Sequence, residues 1–355
     1  MTDDQKNQTA SSLTAQRGSV KPVVRVAIVG YGYWGPNLVR NIQDLEQSQV
    51  AAIADIDVHR LQKVSKKFPS ICLTSDCRDV FNNPEIDAVI IATPVSTHFD
   101  LATQALESGK HVFVEKPLAS SSEECRQLIQ KATDRQRVLM VGHTFEYNPA
   151  VLKIKEILDS RQIGDLHYID AVRVNLGRYQ SDGRNVIWDL APHDISIILN
   201  WVGAMPVGIS AWGQSFVQKG VEDVAFIRMN FPRGVLAHIH VSWLAPAKLR
   251  RMTLVASQKM VVYDDLENFE KIKIADRSAQ LDSNSAQMRV DYRLGDIVSP
   301  HVDFQEPLGR ECAHFIQCIN ETMTPLTDGE NGERVVRILE AADQSIKEGG
   351  SLITF

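Results

Sequence analysis

A chain of 355 residues with a formal net charge of −6 has room for two ordinary domains, and it lacks the basic excess that holds a polyanion, which disfavours a nucleic-acid partner. Its five cysteines, Cys72, Cys77, Cys125, Cys312 and Cys318, are odd in number and form no C-x-x-C pair, which suits reduced thiols better than a disulfide framework or a zinc site. Residues 1–21 are polar without the apolar core of a signal peptide, and no stretch approaches membrane-spanning length, so a disordered N-terminus on a cytoplasmic protein without a membrane partner is expected.

Residues 23–29 form a short β-branched run followed at once by Gly30-Tyr31-Gly32-Tyr33-Trp34-Gly35, a G-x-G-x-x-G match. Gly30 permits a tight turn off the strand, Gly32 lets backbone approach a pyrophosphate, and Gly35 allows close packing of helix on strand. The helix that opens there aims its free N–H groups at phosphates. A second apolar run, residues 50–54, ends at Asp55, where a carboxylate takes the two ribose hydroxyls of an adenosine. Such an acid repels a 2′-phosphate, so the expected cofactor is NAD. Arg60, five positions on, lies within a helical turn of the same ribose.

Residues 58–68 carry helical spacing with Lys63, Lys66 and Lys67 on a solvated side. Residues 88–92 are wholly apolar, as a buried parallel strand requires, and they leave the sheet's carboxyl edge at Thr93-Pro94. Ser96 or Thr97 is placed to cap the next helix, and Gly109 to end it. His98, in the first turn of that helix, can meet the cofactor or be satisfied by local backbone. Residues 111–114 are the next buried strand and run into Glu115-Lys116-Pro117. A charged pair delivered to the crevice and stiffened by proline points to function: Lys116 reaches the nicotinamide end, where an ammonium holds and polarises a substrate hydroxyl.

Residues 138–142 close the nucleotide-binding half at about residue 148, and the cluster 143–149 leaves the sheet edge where it can line a substrate cleft. Beyond it the pattern changes to consecutive strand-like runs joined by short turns, which implies a second α/β domain, 149–355, with a large, mostly antiparallel sheet. Alternation places His238, His240 and Ser242 on one face; without a third ligand they read as structural, and no metal is expected. A broad sheet with one uncovered face suggests a homo-oligomer. Residues 276–291 read as a loop or irregular hairpin, and 311–322 and 334–347 as helices.

Asp189 and His193 precede a helix expected over 195–202. If helical geometry starts early, their four-residue offset brings a carboxylate to an imidazole, a common base arrangement, although a helix cap would use the same residues. Oxidising a secondary alcohol needs a hydride acceptor and a proton acceptor at one carbinol carbon. His193 is the expected proton acceptor, with Lys116 holding the oxygen and Asp189 keeping either in register; the roles of Lys116 and His193 can be exchanged.

On Gly30 to Gly35, Asp55, Ala92-Thr93-Pro94 with His98, Glu115-Lys116-Pro117, Asn148-Pro149, and Asp189 with His193, the chain from residue 23 onward resembles the glucose-fructose oxidoreductase, inositol dehydrogenase and rhizopine-catabolism family, written Gfo/Idh/MocA. The resemblance implies a doubly wound Rossmann domain followed by an open-sheet domain, homodimers or homotetramers, and sugar or polyol chemistry at the lysine and histidine. Within the family, residues 32–38, 142–145 and 188–194 look most like sugar-nucleotide 3-dehydrogenases. These oxidise the 3-hydroxyl of a UDP-N-acetylhexosamine or its uronate for a coupled aminotransferase.

Tyr147, Asn148, Arg178, Tyr179 and Arg184 are then the expected substrate contacts beside His193, the two arginines facing the diphosphate. Ala191 replaces a common glycine, and Glu146 stands where relatives often carry a base, which favours a neutral hexosamine over a uronate. The rivals are an inositol or other polyol dehydrogenase, and a non-catalytic NAD or sugar sensor.

Overall fold

The β-branched run near the start has no polar alternation because it is covered on both faces, as inner parallel strands are. In the computed structural model, which describes residues 23–177, 183–281 and 290–355, it is β1 (Val24–Val29). It is followed by α1 (Gly35–Gln43), β2 (Ser48–Ala54), α2 (Val58–Lys67), β3 (Cys72–Thr74), α3 (Cys77–Phe81), β4 (Ala88–Ile91), α4 (His98–Glu107), β5 (His111–Glu115), α5 (Ser122–Asp134) and β6 (Leu139–Gly142). The strands pair in parallel in the order β3-β2-β1-β4-β5-β6. Succession reverses between β1 and β4, and a crevice opens at their carboxyl ends, the position where doubly wound sheets bind ligands.

Local signals set the helix ends. Asp57 accepts from the His59 and Arg60 N–H groups at the start of α2, and Ser121 from Glu124 N–H at the start of α5. Gly109 follows α4 with φ +76°. The expected Ser96 or Thr97 cap on α4 is not made, because the Thr97 hydroxyl donates to the Pro94 carbonyl within a preceding 3₁₀ turn.

The second half begins with α6 (Pro149–Asp159), β7 (Leu166–Leu176), α7 (Val186–Val202), β8 (Gly208–Gln214), β9 (Val224–Asn230), β10 (Leu236–Ser242), β11 (Leu244–Ala256), β12 (Met260–Asp264), β13 (Ile272–Leu281) and β14 (Val290–Val298). Then come α8 (Pro307–Glu321), α9 (Gly329–Lys347) and β15 (Ile353–Thr354). The nine-stranded sheet has the order β14-β13-β12-β11-β7-β10-β9-β8-β15 and is antiparallel apart from the β7–β10 pair. Of residues 276–291, expected as a loop or irregular hairpin, 276–281 and 290–291 belong to the strands of the β13–β14 pair, and 282–289 lie outside the described residues.

One face of this sheet packs under α6, α7 and α9 through Ile154, Ile195, Ile198, Ile239 and Leu339. The other leaves Tyr168, Phe226 and Leu236 exposed. His238 and His240 lie on that exposed side: His238 Nδ1 is 2.9 Å from Asp170 Oδ1 and His240 stacks on Phe226 at 4.4 Å. No group of side chains suited to a metal occurs among the described residues.

One expected boundary moves. The helix anticipated from residue 195 starts at Val186, because Asn185 accepts from the Ile187 and Trp188 N–H groups, and it runs through Pro192. Across the expected division at residue 148, α8 packs back onto the first half. Its Leu308, Cys312, Phe315 and Ile316 belong to the Rossmann core with Ile28 and Met140, and Phe315 meets Phe113 edge-on at 5.7 Å. Apolar surface above the parallel sheet requires cover, and the chain supplies it from far downstream. The polar N-terminus, expected to be disordered, lies outside the described residues.

Candidate active site

The wall nearest β1 is made largely of backbone. Gly30 has φ +97°, and a Cβ there would sit 2.5 Å from the Ala92 carbonyl oxygen, so no other residue turns the chain here without displacement. A Cβ on Gly35 would meet the Gly30 carbonyl oxygen at 2.8 Å, which fixes helix against strand. At Gly32 nothing comes nearer than an Arg60 nitrogen at 4.0 Å, leaving a cradle open to a ligand. Trp34 makes no side-chain cap on α1; Pro36 has no N–H and Asn37 N–H donates to the Trp34 carbonyl at 2.9 Å, so in the first turn it is the Gly35 N–H that stays available to phosphate.

Asp55 ends β2 with its carboxylate turned inward. Oδ2 accepts from Tyr31 N–H at 2.6 Å and Oδ1 from Asp57 N–H at 2.8 Å, so the acid braces the glycine loop. Arg60 lies 3.4 Å from Asp55 and 3.2 Å from Asp57, its charge balanced by both rather than free for a 2′-phosphate. This arrangement fits NAD. Tyr33 and Trp34 are edge-on at 5.5 Å on the cleft wall, and Thr93 and Pro94 sit at the end of β4, with the Thr93 and Thr97 hydroxyls 2.7 Å apart.

His98 does not reach the cleft. It is wholly buried, with Nδ1 2.9 Å from the Pro117 carbonyl and Nε2 2.9 Å from that of Thr93, so it ties the β4 loop to the β5 loop. A cofactor contact through its ring is ruled out by that geometry.

Lys116 and His193 come together on one cavity of about 620 Å³. Lys116 Nζ donates to the Asp189 carbonyl at 3.0 Å. Pro192 has no N–H for the Trp188 carbonyl, and next to this interruption the helix presents a carbonyl to an outside donor. Burial pushes the lysine below its usual range, opposed by the charges of Asp189 and Glu115 and assisted by Arg173 and Arg184. His193 is also held well below the ordinary imidazole value, chiefly by burial and then by Lys116, Arg173, His143 and Arg250, which keeps it neutral. Its ring meets Phe145 at 4.9 Å, and its Nδ1 has no partner among the described residues.

The anticipated Asp189–His193 pair is absent. Asp189 Oδ2 accepts from Trp243 Nε1 at 2.9 Å, and the aspartate acts on Lys116 instead. Trp243 was not singled out in the sequence. It reaches the site because a glycine ends β7: Gly177 N–H donates to the Trp243 carbonyl, and a Cβ on Gly177 would lie 2.2 Å from the indole.

The 3₁₀ turn over Thr144–Tyr147 sends its side chains two ways. Thr144 and Phe145 face the cavity. Tyr147 points into the core, its hydroxyl 2.9 Å from His314 Nδ1 and 3.3 Å from the Thr327 hydroxyl, so it is not a substrate contact. Glu146 is buried against Asn200 and Asn331 and pushed up to about 8 by burial; it does not border the cavity and carries no information about the substrate ring. Asn148 does border the cavity while capping α6 through Ala150 N–H.

Behind Lys116, Glu115 is raised to about 7 by burial and His143 lowered to about 3 by burial and the lysine. Arg184 is close enough to Lys116 to oppose its protonation, while Arg178 and Tyr179 lie outside the described residues. The remaining wall comes from segments unmarked in the sequence: Lys248 and Arg250 on β11, Asp265 to Lys271 before β13, and residues 302–308 before and at the start of α8. Lys248 and Arg250, alternating on one strand, were the available signal.

Two family models match the chain: the oxidoreductase family with NAD-binding Rossmann fold over residues 24–143 and the GFO/IDH/MocA C-terminal domain over residues 151–262. The chain is 30% identical over 250 residues to UDP-N-acetylglucosamine 3-dehydrogenase of Acidithiobacillus ferrooxidans, covering 69% of this chain and 75% of that protein. It is 24% identical to the NAD-dependent scyllo-inositol 2-dehydrogenase of Bacillus subtilis, covering 92% and 95%. The solved structure of an Acidithiobacillus ferrooxidans UDP-N-acetylglucosamine 3-dehydrogenase superposes with TM-score 0.76 at 26% identity, covering 91% and 97%.

Proposed function

The chain belongs to the GFO/IDH/MocA oxidoreductase family, and from that premise we propose that it oxidises the C3 hydroxyl of a UDP-linked N-acetylated sugar to the 3-keto sugar. The observation that carries a dehydrogenase is the meeting of Lys116 and His193, both shifted toward their neutral forms, on a cavity that also touches the glycine loop. The choice of a sugar nucleotide draws on the UDP-N-acetylglucosamine 3-dehydrogenase relative.

NAD, when bound, supplies the hydride acceptor. Lys116 donates to the reacting oxygen and stabilises the negative charge that develops there, and neutral His193 accepts the hydroxyl proton as the C–H bond is broken. Asp189, held by Trp243, keeps Lys116 at the cleft through its carbonyl and its charge. Phe145 walls the imidazole and excludes water from one side. Arg184 and Asn148 are proposed substrate contacts. Assembly through the exposed sheet face as a homo-oligomer, and coupling to an aminotransferase that consumes the ketone, complete the proposal.

The test is NADH formation by purified protein with UDP-N-acetylglucosamine, its uronate and myo-inositol, in the presence of a ketone-trapping aminotransferase. Turnover of one UDP-sugar, lost in Lys116→Ala, is the expected result. Turnover of myo-inositol alone moves the enzyme to polyols, and a bound cofactor that never changes redox state across the panel identifies a sensor.

A further inference from the structure

We infer that Lys248, Arg250 and Lys271 form an anion-recognition subsite on the sheet side of the cleft, so that the substrate carries an oxyanion group in addition to its reacting carbinol. The inference rests on the cleft being the substrate site, as proposed above, and it deepens that proposal by assigning a charged group and the residues that hold it.

Three cations border the same cavity as Lys116, and protein carboxylates do not saturate them. Lys248 makes no ion pair among the described residues. Lys271 Nζ donates to the backbone carbonyl of Asp265 at 2.6 Å, a contact that orients the ammonium without neutralising it. Arg250 lies 3.3 Å from the Asp265 carboxylate and leaves its Nε without a partner. That carboxylate also accepts from the Tyr263 hydroxyl at 3.0 Å, so its capacity is divided.

The strand register sharpens the imbalance. Arg250 stands directly opposite Arg173 across the β7–β11 ladder, and both guanidiniums lie against the Phe145 ring, at 5.8 Å and 4.6 Å. Like charges directly opposed in a sheet are destabilising. Arg173 is compensated by a buried two-nitrogen contact with Asp194, whereas among the described residues Arg250 pairs only with the shared Asp265. Of the acids on the opposite lip, Glu306 is paired with Arg40 at 2.9 Å, and Asp303, 3.0 Å from the His301 ring, is turned out to solvent. A planar guanidinium flanked by two ammonium groups suits phosphate or carboxylate oxygens. The oxyanion is either the diphosphate of a nucleotide sugar or the carboxylate of a uronate ring.

Calorimetric titration of the full chain, saturated with NADH, reads the subsite without requiring turnover. The probes are UDP, inorganic pyrophosphate, glucuronate and myo-inositol. At least one anion is expected to bind, more weakly as salt is raised, and Lys248→Ala, Arg250→Gln and Lys271→Met are each expected to weaken it by roughly tenfold with NADH affinity unchanged. Binding of UDP and pyrophosphate assigns the diphosphate, and binding of glucuronate alone assigns the carboxylate. Lys248 is exposed, so its alanine variant keeps the result independent of folding.

Absence of binding by every anion, or binding untouched by the three substitutions, overturns the subsite, even if myo-inositol is oxidised and the dehydrogenase assignment survives. Conversely, anion binding lost in the variants without turnover of any sugar upholds the subsite and rejects C3 oxidation.

Discussion

The nucleotide wall and the proposed substrate wall of the cleft are built from different material. On the first, backbone does the work: a left-handed glycine, a helix start without a side-chain cap, and an acid whose oxygens are tied to the Tyr31 and Asp57 N–H groups. On the second, charged side chains arrive from β11, the segment before β13, and the approach to α8, and they are aimed by ion pairs and one another's fields. Backbone geometry recognises what every dinucleotide shares. Side chains projecting from strand edges can change without rebuilding the sheet, so substrate choice is the adjustable half.

The strongest way to break this division is at Lys116, where the two walls meet. Lys116→Ala is expected to lower kcat by roughly 10³-fold while NADH still binds, as fluorescence titration would report. Weakened NADH binding of similar size would mean that the lysine belongs to the nucleotide wall instead. Asp55→Ala comes next: loss of the brace under Tyr31 should raise the KM for NAD by about 10- to 100-fold and leave sugar-side binding intact.

Trp243→Phe sharpens the other wall by removing the donor to Asp189. A fall in kcat on the order of tenfold, with KM for NAD unmoved, is expected from loss of one hydrogen bond to a carboxylate. The smallest effect is on pH. Only neutral His193 accepts a proton, and its value is depressed below 6.5, so activity persists as pH falls through 6.5 and is lost only at lower pH. A kcat/KM profile whose acid limb lies at or above 6.5 would exclude His193 as the depressed base.

Legibility followed the same division. The glycine loop, Asp55 and Lys116 were readable because each constraint acts within a few residues: a turn, a spacing, a proline after a strand. Asp189 and His193 were both singled out, but their pairing was misread and their partners were not visible, since Asp189 meets an indole 54 positions later that arrives through strand pairing. Tyr147 and Glu146 misled for a related reason. They adjoin a true cavity residue, Phe145, and a single 3₁₀ turn directs them inward, an orientation that spacing alone does not encode. His98 lies at the right edge of the sheet, yet both of its nitrogens face carbonyls of neighbouring loops.

The return of α8 to the Rossmann sheet bears on how this molecule is made. Phe113 and Met140 emerge early in synthesis, and their cover, Leu308, Cys312, Phe315 and Ile316, is joined to the chain roughly 200 residues later, about ten seconds or more at ordinary elongation rates. During that interval the first-made half presents apolar surface to the ribosome's surroundings. The part of the protein that is easiest to recognise is therefore among the last to be finished, and a nascent chain stopped before α8 would be a client for chaperones rather than a small nucleotide-binding protein.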